Sequence, residues 1–149
     1  MKLITKNKKA YFDYEIKDTI TAGIVLTGDE VKSIRQGNVS LNEAFATIHD
    51  GNVSLINCYI APYKHSYSKK YDPRKTRRLL LHKREINKLI GAVSVKGLTL
   101  VPLKIFFEDK GFAKIELGLA KHKKKIDKKR ELREKDIAKE TLREIKRKR

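Results

Sequence analysis

The stretch Gly23–Gly37, GIVLTGDEVKSIRQG, constrains the fold most tightly, because its pattern indicates a strand, a corner and a short helix in quick succession. Thr27 precedes Glu30 by three positions. This spacing predicts a capping box, in which each side chain accepts a hydrogen bond from the other residue's backbone amide. Val31 and Ile34 give the helix an apolar stripe, and the closing glycine predicts where it ends. We therefore expect a helix that packs on a sheet, with its remaining polar side chains, including Ser33, on the outside.

The formal net charge of the 149 residues is +18, which favours a polyanionic partner over a small-molecule substrate. Each Lys or Arg that neutralises a phosphate releases counterions, so such a charge suits nucleic acid. An anionic membrane is the other possible target, but no apolar run approaches about 20 residues and the N-terminus has no signal-peptide pattern. One cysteine, Cys58, and four scattered histidines indicate neither a disulfide framework nor a metal site. We expect no cofactor, and a reducing cytoplasm.

The charge is concentrated at the C-terminus. Residues 121–149 hold 15 Lys or Arg and 6 Asp or Glu, so that one fifth of the chain carries half of the net charge. This shift predicts a folded domain at 1–120 and a basic tail at 121–149, with the boundary near Ala120. An isolated helix of this composition is marginal in water, so we expect a tail that is disordered when free and helical in an anionic groove. A purely solubilising tail is the alternative.

The first 120 residues read as a mainly β domain with two or three short helices. A loosely ordered basic arm is expected at Met1–Lys9, and a helix at His82–Gly91. Strand patterns occur at Tyr11–Ile16, Leu41–Ile48, Val53–Ile60, Leu98–Glu108 and Phe112–Ala120. Asp50-Gly51 predicts a type I′ hairpin, and Pro102 predicts a sheet edge or a bulge. Short strands joined by hairpins predict a small antiparallel OB-like barrel.

The segment Pro62–Thr76, PYKHSYSKKYDPRKT, has no regular period and contains many turn formers. It places Tyr63, Tyr67 and Tyr71 among several lysines and arginines. Rings that stack on bases beside cations that hold phosphates are typical of RNA recognition. Tyrosines that pack against the barrel are an equally good interpretation, and the sequence leaves both open.

Five segments together resemble the SsrA-binding protein, or small protein B, family, the bacterial partner of transfer-messenger RNA in trans-translation. They are GIVLTGDEVKSIRQG, EAFATI, DPRKTRRLLLHKREI, KGLTLVPLKIFF and AKIELGLAKHKKKIDKKRELREKD. The resemblance implies an OB-fold adaptor that binds the tRNA-like domain of transfer-messenger RNA. It also implies delivery to stalled ribosomes by an elongation factor, with the tail helical in the empty mRNA channel near the decoding centre.

Two sets of site residues follow from the motifs and the resemblance. The RNA-binding set is Asn7, Lys8, Lys9, Lys32, Arg35, Arg74, Arg77 and Leu80. The ribosome-binding set in the tail is Lys121, Lys123, Lys124, Lys125, Asp127, Lys128, Lys129 and Arg130. The chain departs from the family pattern at His122, where a glycine is usual and bears on how the tail leaves the barrel, and at Thr21, where an acidic residue is usual, so Thr21 is not counted as a site.

Two other classes of protein fit parts of the pattern. An OB-fold ribosomal or ribosome-assembly protein would also carry a basic tail. A metal-dependent nuclease would need clustered carboxylates, for which Asp13 with Glu15, or Glu108 with Asp109, are the candidates. Both pairs read more simply as solvated surface charges, and no phosphate-binding P-loop motif occurs. We expect a monomeric RNA-binding adaptor that is not an enzyme.

Overall fold

The computed structural model describes residues 1–66 and 70–147, and the side chains of these except 125–127 and 144–147. Within this part the chain forms nine strands and four helices. In chain order these elements are β1 Lys2–Lys6, α1 Lys8–Asp13, β2 Tyr14–Ile24, α2 Gly28–Arg35, β3 Val39–Ser40, β4 Phe45–His49, β5 Asn52–Ile56, β6 Tyr59–Ile60, β7 Arg77–Leu80, α3 Lys83–Ser94, β8 Thr99–Phe107, β9 Ala113–His122 and α4 Lys125–Arg147.

Seven of the strands form one antiparallel sheet in the order β1-β8-β9-β2-β7-β5-β4. Strand β4 also contacts β8, so the sheet curls back on itself as a barrel does. The short strands β3 and β6 pair separately. The mainly β antiparallel architecture predicted from the sequence is confirmed.

The core lies inside this curled sheet and receives one face of each of two helices. Ile34 of α2 and Leu89 of α3 have no exposed surface. They belong to the same cluster as Leu55, Ile105 and Leu117 of the strands. Burying an aliphatic side chain of this size contributes about 1.5–3 kcal/mol, so the helices are integral to the barrel.

The structure confirms the capping box and the type I′ hairpin. The Thr27 hydroxyl accepts from the Glu30 amide at 3.2 Å, and a Glu30 carboxylate oxygen accepts from the Thr27 amide at 2.9 Å. Gly37 has a φ of 81°, as expected of a residue that ends a helix in the left-handed region. Asp50 and Gly51 have φ values of 49° and 74°, which the type I′ turn requires.

The prediction for the N-terminal region was wrong. The expected loose arm is strand β1, paired with β8, and the first half of the expected strand Tyr11–Ile16 is helix α1. Asn7 causes the change, because its side chain accepts from the Ala10 amide at 3.2 Å and caps α1. The backbone amide of Asn7 also donates to the Leu103 carbonyl at 2.7 Å, which fixes α1 against β8.

Three smaller expectations also differ from the structure. Helix α3 passes through Gly91 and ends at Ser94, because Ala92 is buried and the left-handed glycine is Gly97, with a φ of 67°. Ser33, expected outside, is buried and donates to the Ala61 carbonyl at 2.7 Å. At Pro102 the register of β8 slips, so the bulge is confirmed, but β8 lies between β1 and β9 and is not a sheet edge.

Strand β9 extends past the expected domain boundary near Ala120 and ends at His122, opposite Tyr14. Beyond it, Lys125–Arg147 form the single helix α4, and the disorder expected of the free tail stays a prediction. Thr141 donates to the Ile137 carbonyl within this helix, and α4 is anchored to α1 by contacts described below. None of the helices among residues 1–66 and 70–147 has the length and apolarity needed to cross a membrane.

Candidate nucleic-acid interface

The outer face of the sheet carries an exposed leucine beside a lysine. Gly23 of β2 pairs with Leu80 of β7 on one side and with Lys114 of β9 on the other. A Cβ on Gly23 would lie 3.3 Å from the Leu80 Cβ and 3.7 Å from the Lys114 ammonium nitrogen. The glycine therefore leaves room for both side chains to lie over the middle strand.

Leu80 is 54% exposed, so its side chain is available for contact on this face. A shallow cavity at this point is lined by Thr21, Gly23, Leu80, Leu81, His82, Glu85 and Lys114. An apolar side chain beside a cation matches a nucleotide, whose sugar and base are partly apolar and whose phosphate is anionic. We call Gly23, Leu80 and Lys114 the sheet-face site.

Lys114 is the site residue that sequence reasoning missed. Its place in the strand pattern gave no reason to single it out among the many lysines of this chain. Only the register of three adjacent strands brings it next to Leu80. By contrast, Lys104 pairs with Glu116 at 3.3 Å, so its charge is already balanced within the sheet.

Three other predicted residues are exposed cations that lie on aromatic rings. The Lys32 ammonium nitrogen is 5.2 Å from the centre of the Tyr63 ring. The Arg35 guanidinium is 5.5 Å from the centre of the Phe107 ring. Arg74 is 5.4 Å from that of Tyr59 and donates to the Asn57 side chain at 3.2 Å. These contacts hold the cations in place and leave them at the surface.

Arg77 must be removed from the predicted RNA-binding set, because it is 2% exposed. Strand β7 alternates, so that Arg77 and Leu79 point inward while Arg78 and Leu80 point outward. The Arg77 Nε donates to a Glu30 carboxylate oxygen at 2.7 Å in the interior. The adjacent arginines Arg77 and Arg78 had suggested that Arg77 is a surface cation, but the position of each on the strand decides which one is exposed.

Asn7, which was predicted to contact RNA, lies in the interior of this structure. It is 7% exposed, and both polar ends of its amide are used, since its nitrogen donates to the Pro102 carbonyl at 3.0 Å and its oxygen caps α1. Its neighbours Lys8 and Lys9 are exposed on the first turn of α1. The two lysines stay in the predicted set.

The structure separates the three tyrosines of the Pro62–Thr76 segment. The Tyr71 hydroxyl donates inward, with the Ile60 carbonyl at 2.9 Å, so this tyrosine packs against the barrel. Tyr63 is half-buried and lies under Lys32 with His65 at its edge. Tyr67 lies outside the described residues.

The predicted tail residues fall into two groups. Lys123 and Lys128 anchor α4: the Lys123 ammonium donates to the Tyr11 carbonyl at 3.2 Å and to Glu131, and the Lys128 ammonium is 2.9 Å from an Asp13 carboxylate oxygen. The exposed residues, with their charges toward solvent, are Lys121, Lys124, Lys129 and Arg130. The side chains of Lys125 and Asp127 lie outside the described part of the chain.

Three of the four carboxylates considered for a nuclease lie beside a cation of their own. Asp13 of α1 pairs with Lys128, Glu15 of β2 pairs with Lys17 at 2.8 Å, and Asp109 pairs with the N-terminal amine at 2.6 Å. Among the described residues, no group of three or more His, Cys, Asp or Glu is placed to hold a metal ion. Cys58 is fully buried, and burial raises the pKa of its thiol to about 11, as expected of a core residue.

Comparison with known proteins identifies the family. The sequence profile of a family described as "SmpB protein" matches residues 4–147. The chain belongs to the SmpB family. Among curated relatives, an SsrA-binding protein of Coprothermobacter proteolyticus is 47% identical over 145 residues, which is 97% of each chain. One of a Sulfurihydrogenibium species is 51% identical over 139 residues, which is 93% of this chain and 91% of the relative.

A solved SmpB-family structure also resembles this fold. It is described as "tmRNA-SmpB: a journey to the center of the bacterial ribosome", and its matching chain is 52% identical with a TM-score of 0.67. The match covers 81% of this chain and 85% of the other. The family assignment thus rests on sequence and on fold together.

Proposed function

We propose that this SmpB-family chain is an RNA-binding adaptor for trans-translation. In this role it binds the tRNA-like domain of transfer-messenger RNA and brings that RNA to stalled ribosomes, where the tail occupies the empty mRNA channel. It acts in the cytoplasm as a monomer and catalyses no reaction of its own. Membership of the family over residues 4–147 is the observation that carries the proposal.

The geometry supports a division of labour between the barrel and the tail. The sheet-face site is a fixed surface on three paired strands, which suits recognition of folded RNA by shape. The exposed tail cations, such as Lys129 and Arg130, supply attraction that depends on salt more than on sequence. The barrel then selects the RNA, and the tail acts on the ribosome.

The sheet-face site is tested by replacing Lys114 with alanine in the full chain. Loss of one phosphate contact is expected to reduce the slope of log affinity against log salt by about 0.7–0.9 on a tRNA-like domain. Leu80→Asp places a carboxylate beside the RNA and is expected to weaken binding by at least about tenfold, since an unpaired charge is desolvated at the contact.

Lys96→Ala is the matched control, because Lys96 is an exposed lysine just beyond the end of α3. Its removal is expected to leave the salt slope unchanged. If Lys96→Ala and Lys114→Ala lower affinity and slope equally, the sheet face contributes only general charge and the assignment of this site is wrong.

A further inference from the structure

We propose that the buried side chains of Glu30 and Arg77 and the half-buried side chain of Tyr71 act together to position Arg74 for RNA. We call this group the buried hub. The inference rests on the proposed function, because it takes Arg74 as one of the RNA contacts. Its members touch no RNA themselves, so they are positioning residues.

The Arg77 guanidinium is the centre of the hub and uses all of its nitrogens. Its Nε donates to a Glu30 carboxylate oxygen at 2.7 Å and its Nη1 to the Cys58 carbonyl at 2.6 Å. Its Nη2 donates to the Tyr71 hydroxyl oxygen at 2.9 Å and to the Pro73 carbonyl at 3.1 Å. Apart from Glu30, the partners are Cys58, which directly precedes β6, and Tyr71 and Pro73, which lie in the loop after β6.

Glu30 and Tyr71 complete the hub from two directions. One Glu30 oxygen accepts from the Thr27 amide at 2.9 Å and lies 3.4 Å from the Lys75 ammonium, so the capping box and the hub share this carboxylate. The Tyr71 hydroxyl accepts from Arg77 and has two acceptors for its own proton, Glu30 at 3.2 Å and the Ile60 carbonyl at 2.9 Å. Burial raises the pKa of Tyr71 to about 12, so at neutral pH the hydroxyl keeps that proton.

These bonds converge on the residue just before Arg74. The Pro73 carbonyl accepts from Arg77 and also from the Ile60 amide, the latter at 3.0 Å. Arg74 itself is held by a local bond, in which its backbone amide donates to the Asp72 carboxylate at 2.9 Å. The backbone at Arg74 is thus fixed to the barrel while its side chain is exposed.

Stability alone does not account for a buried ion pair at this place. Replacing both members of a buried ion pair with apolar residues of similar volume is often neutral or stabilising, although removing one member alone is costly. The hub differs from an apolar plug because its donors and acceptors are directed at loop backbone. A loop held in its bound conformation loses less conformational entropy when it binds, which raises affinity without any added contact.

The test is a double-mutant cycle in the full chain with Tyr71→Phe, Arg74→Ala and both changes, measured as affinity for a tRNA-like RNA domain. If Tyr71 positions Arg74, Tyr71→Phe weakens binding by about fivefold, and this loss disappears when Arg74 is already alanine. Hydrogen exchange at the Ile60 amide is expected to accelerate in Tyr71→Phe. Tyr14→Phe is the control, because Tyr14 lies beside His122 at the far end of β2.

The outcomes separate this inference from the proposed function. If Arg74→Ala weakens binding but Tyr71→Phe is neutral, or if the two losses simply multiply, the hub does not position Arg74 and the inference is wrong. If Arg74→Ala leaves affinity unchanged, Arg74 is not a contact and the inference falls, while the sheet-face site stands. Failure of the intact chain to bind the tRNA-like domain in preference to other RNA would instead refute the proposed function.

Discussion

A chain that ends at Lys124 is expected to bind a tRNA-like RNA domain within about tenfold of the full chain, and to support no tagging of products on stalled ribosomes. Binding survives because Leu80 and Lys114 lie on the barrel. The affinity that is lost is the salt-dependent contribution of the removed cations. Tagging is lost because the truncation removes α4, which carries the proposed ribosome contacts of the tail.

The cut belongs after Lys124 because Lys121 and His122 are still paired with β2, and the Lys123 amide donates to the Asp13 carbonyl at 2.9 Å. A cut at Ala120 would damage the barrel as well as remove the tail. A control with Lys129→Gln and Arg130→Gln keeps the length and lowers the charge. A chain ending at Lys124 that tags stalled products at the full rate would contradict the role given to the tail.

Replacing Arg77 with methionine is expected to lower the free energy of unfolding by about 3–5 kcal/mol, the largest stability effect we expect. The change leaves the Glu30 carboxylate buried without its main partner, and an uncompensated buried charge is costly. Urea denaturation followed by circular dichroism measures the loss. Combining Arg77→Met with Glu30→Gln removes the buried carboxylate charge while keeping a capping-box residue. This double variant is therefore expected to regain much of the lost free energy of unfolding.

The same pair gives the protein a pH dependence at the acid end. Burial alone would raise the pKa of Glu30, but the Thr27 amide, Arg77 and Lys75 together hold it below its usual value. The stabilisation is therefore present above the unfolded pKa of about 4.3 and is lost as the pH falls through the lower folded pKa.

If Arg77→Met costs less than about 1 kcal/mol at neutral pH, the ion pair is not the stabilising contact that its geometry indicates.

Local signals were enough to predict the elements whose geometry depends on neighbours in sequence. The capping box of Thr27 with Glu30 and the turn at Asp50-Gly51 each involve residues at most three positions apart, and both are as expected. Helix α1 was missed although its cap, from Asn7 to Ala10, is local; the bond that fixes its start to β8 joins Asn7 to Leu103, far apart in the chain. A period-two pattern in Tyr11–Ile16 could not reveal that contact.

The candidate site was harder to predict, for the same reason. Leu80 was identified through a family resemblance, and its exposure agrees with a contact role. The adjacent pair Arg77-Arg78 gives no sign of which residue is buried, since the alternation of side chains on the folded strand decides it. Lys114 became visible only when strand register placed it beside Gly23. Charge indicates the class of partner, but three-dimensional pairing decides which charges face it.

The central claim is that the barrel selects the RNA and the tail acts elsewhere. A salt titration tests it most directly, with the full chain and the chain ending at Lys124 each bound to a tRNA-like domain and to an ordinary tRNA of equal length. We expect both chains to prefer the tRNA-like domain at every salt concentration, with truncation only flattening the salt slope. If neither chain discriminates between the two RNAs and the tail carries all of the binding, the account is wrong.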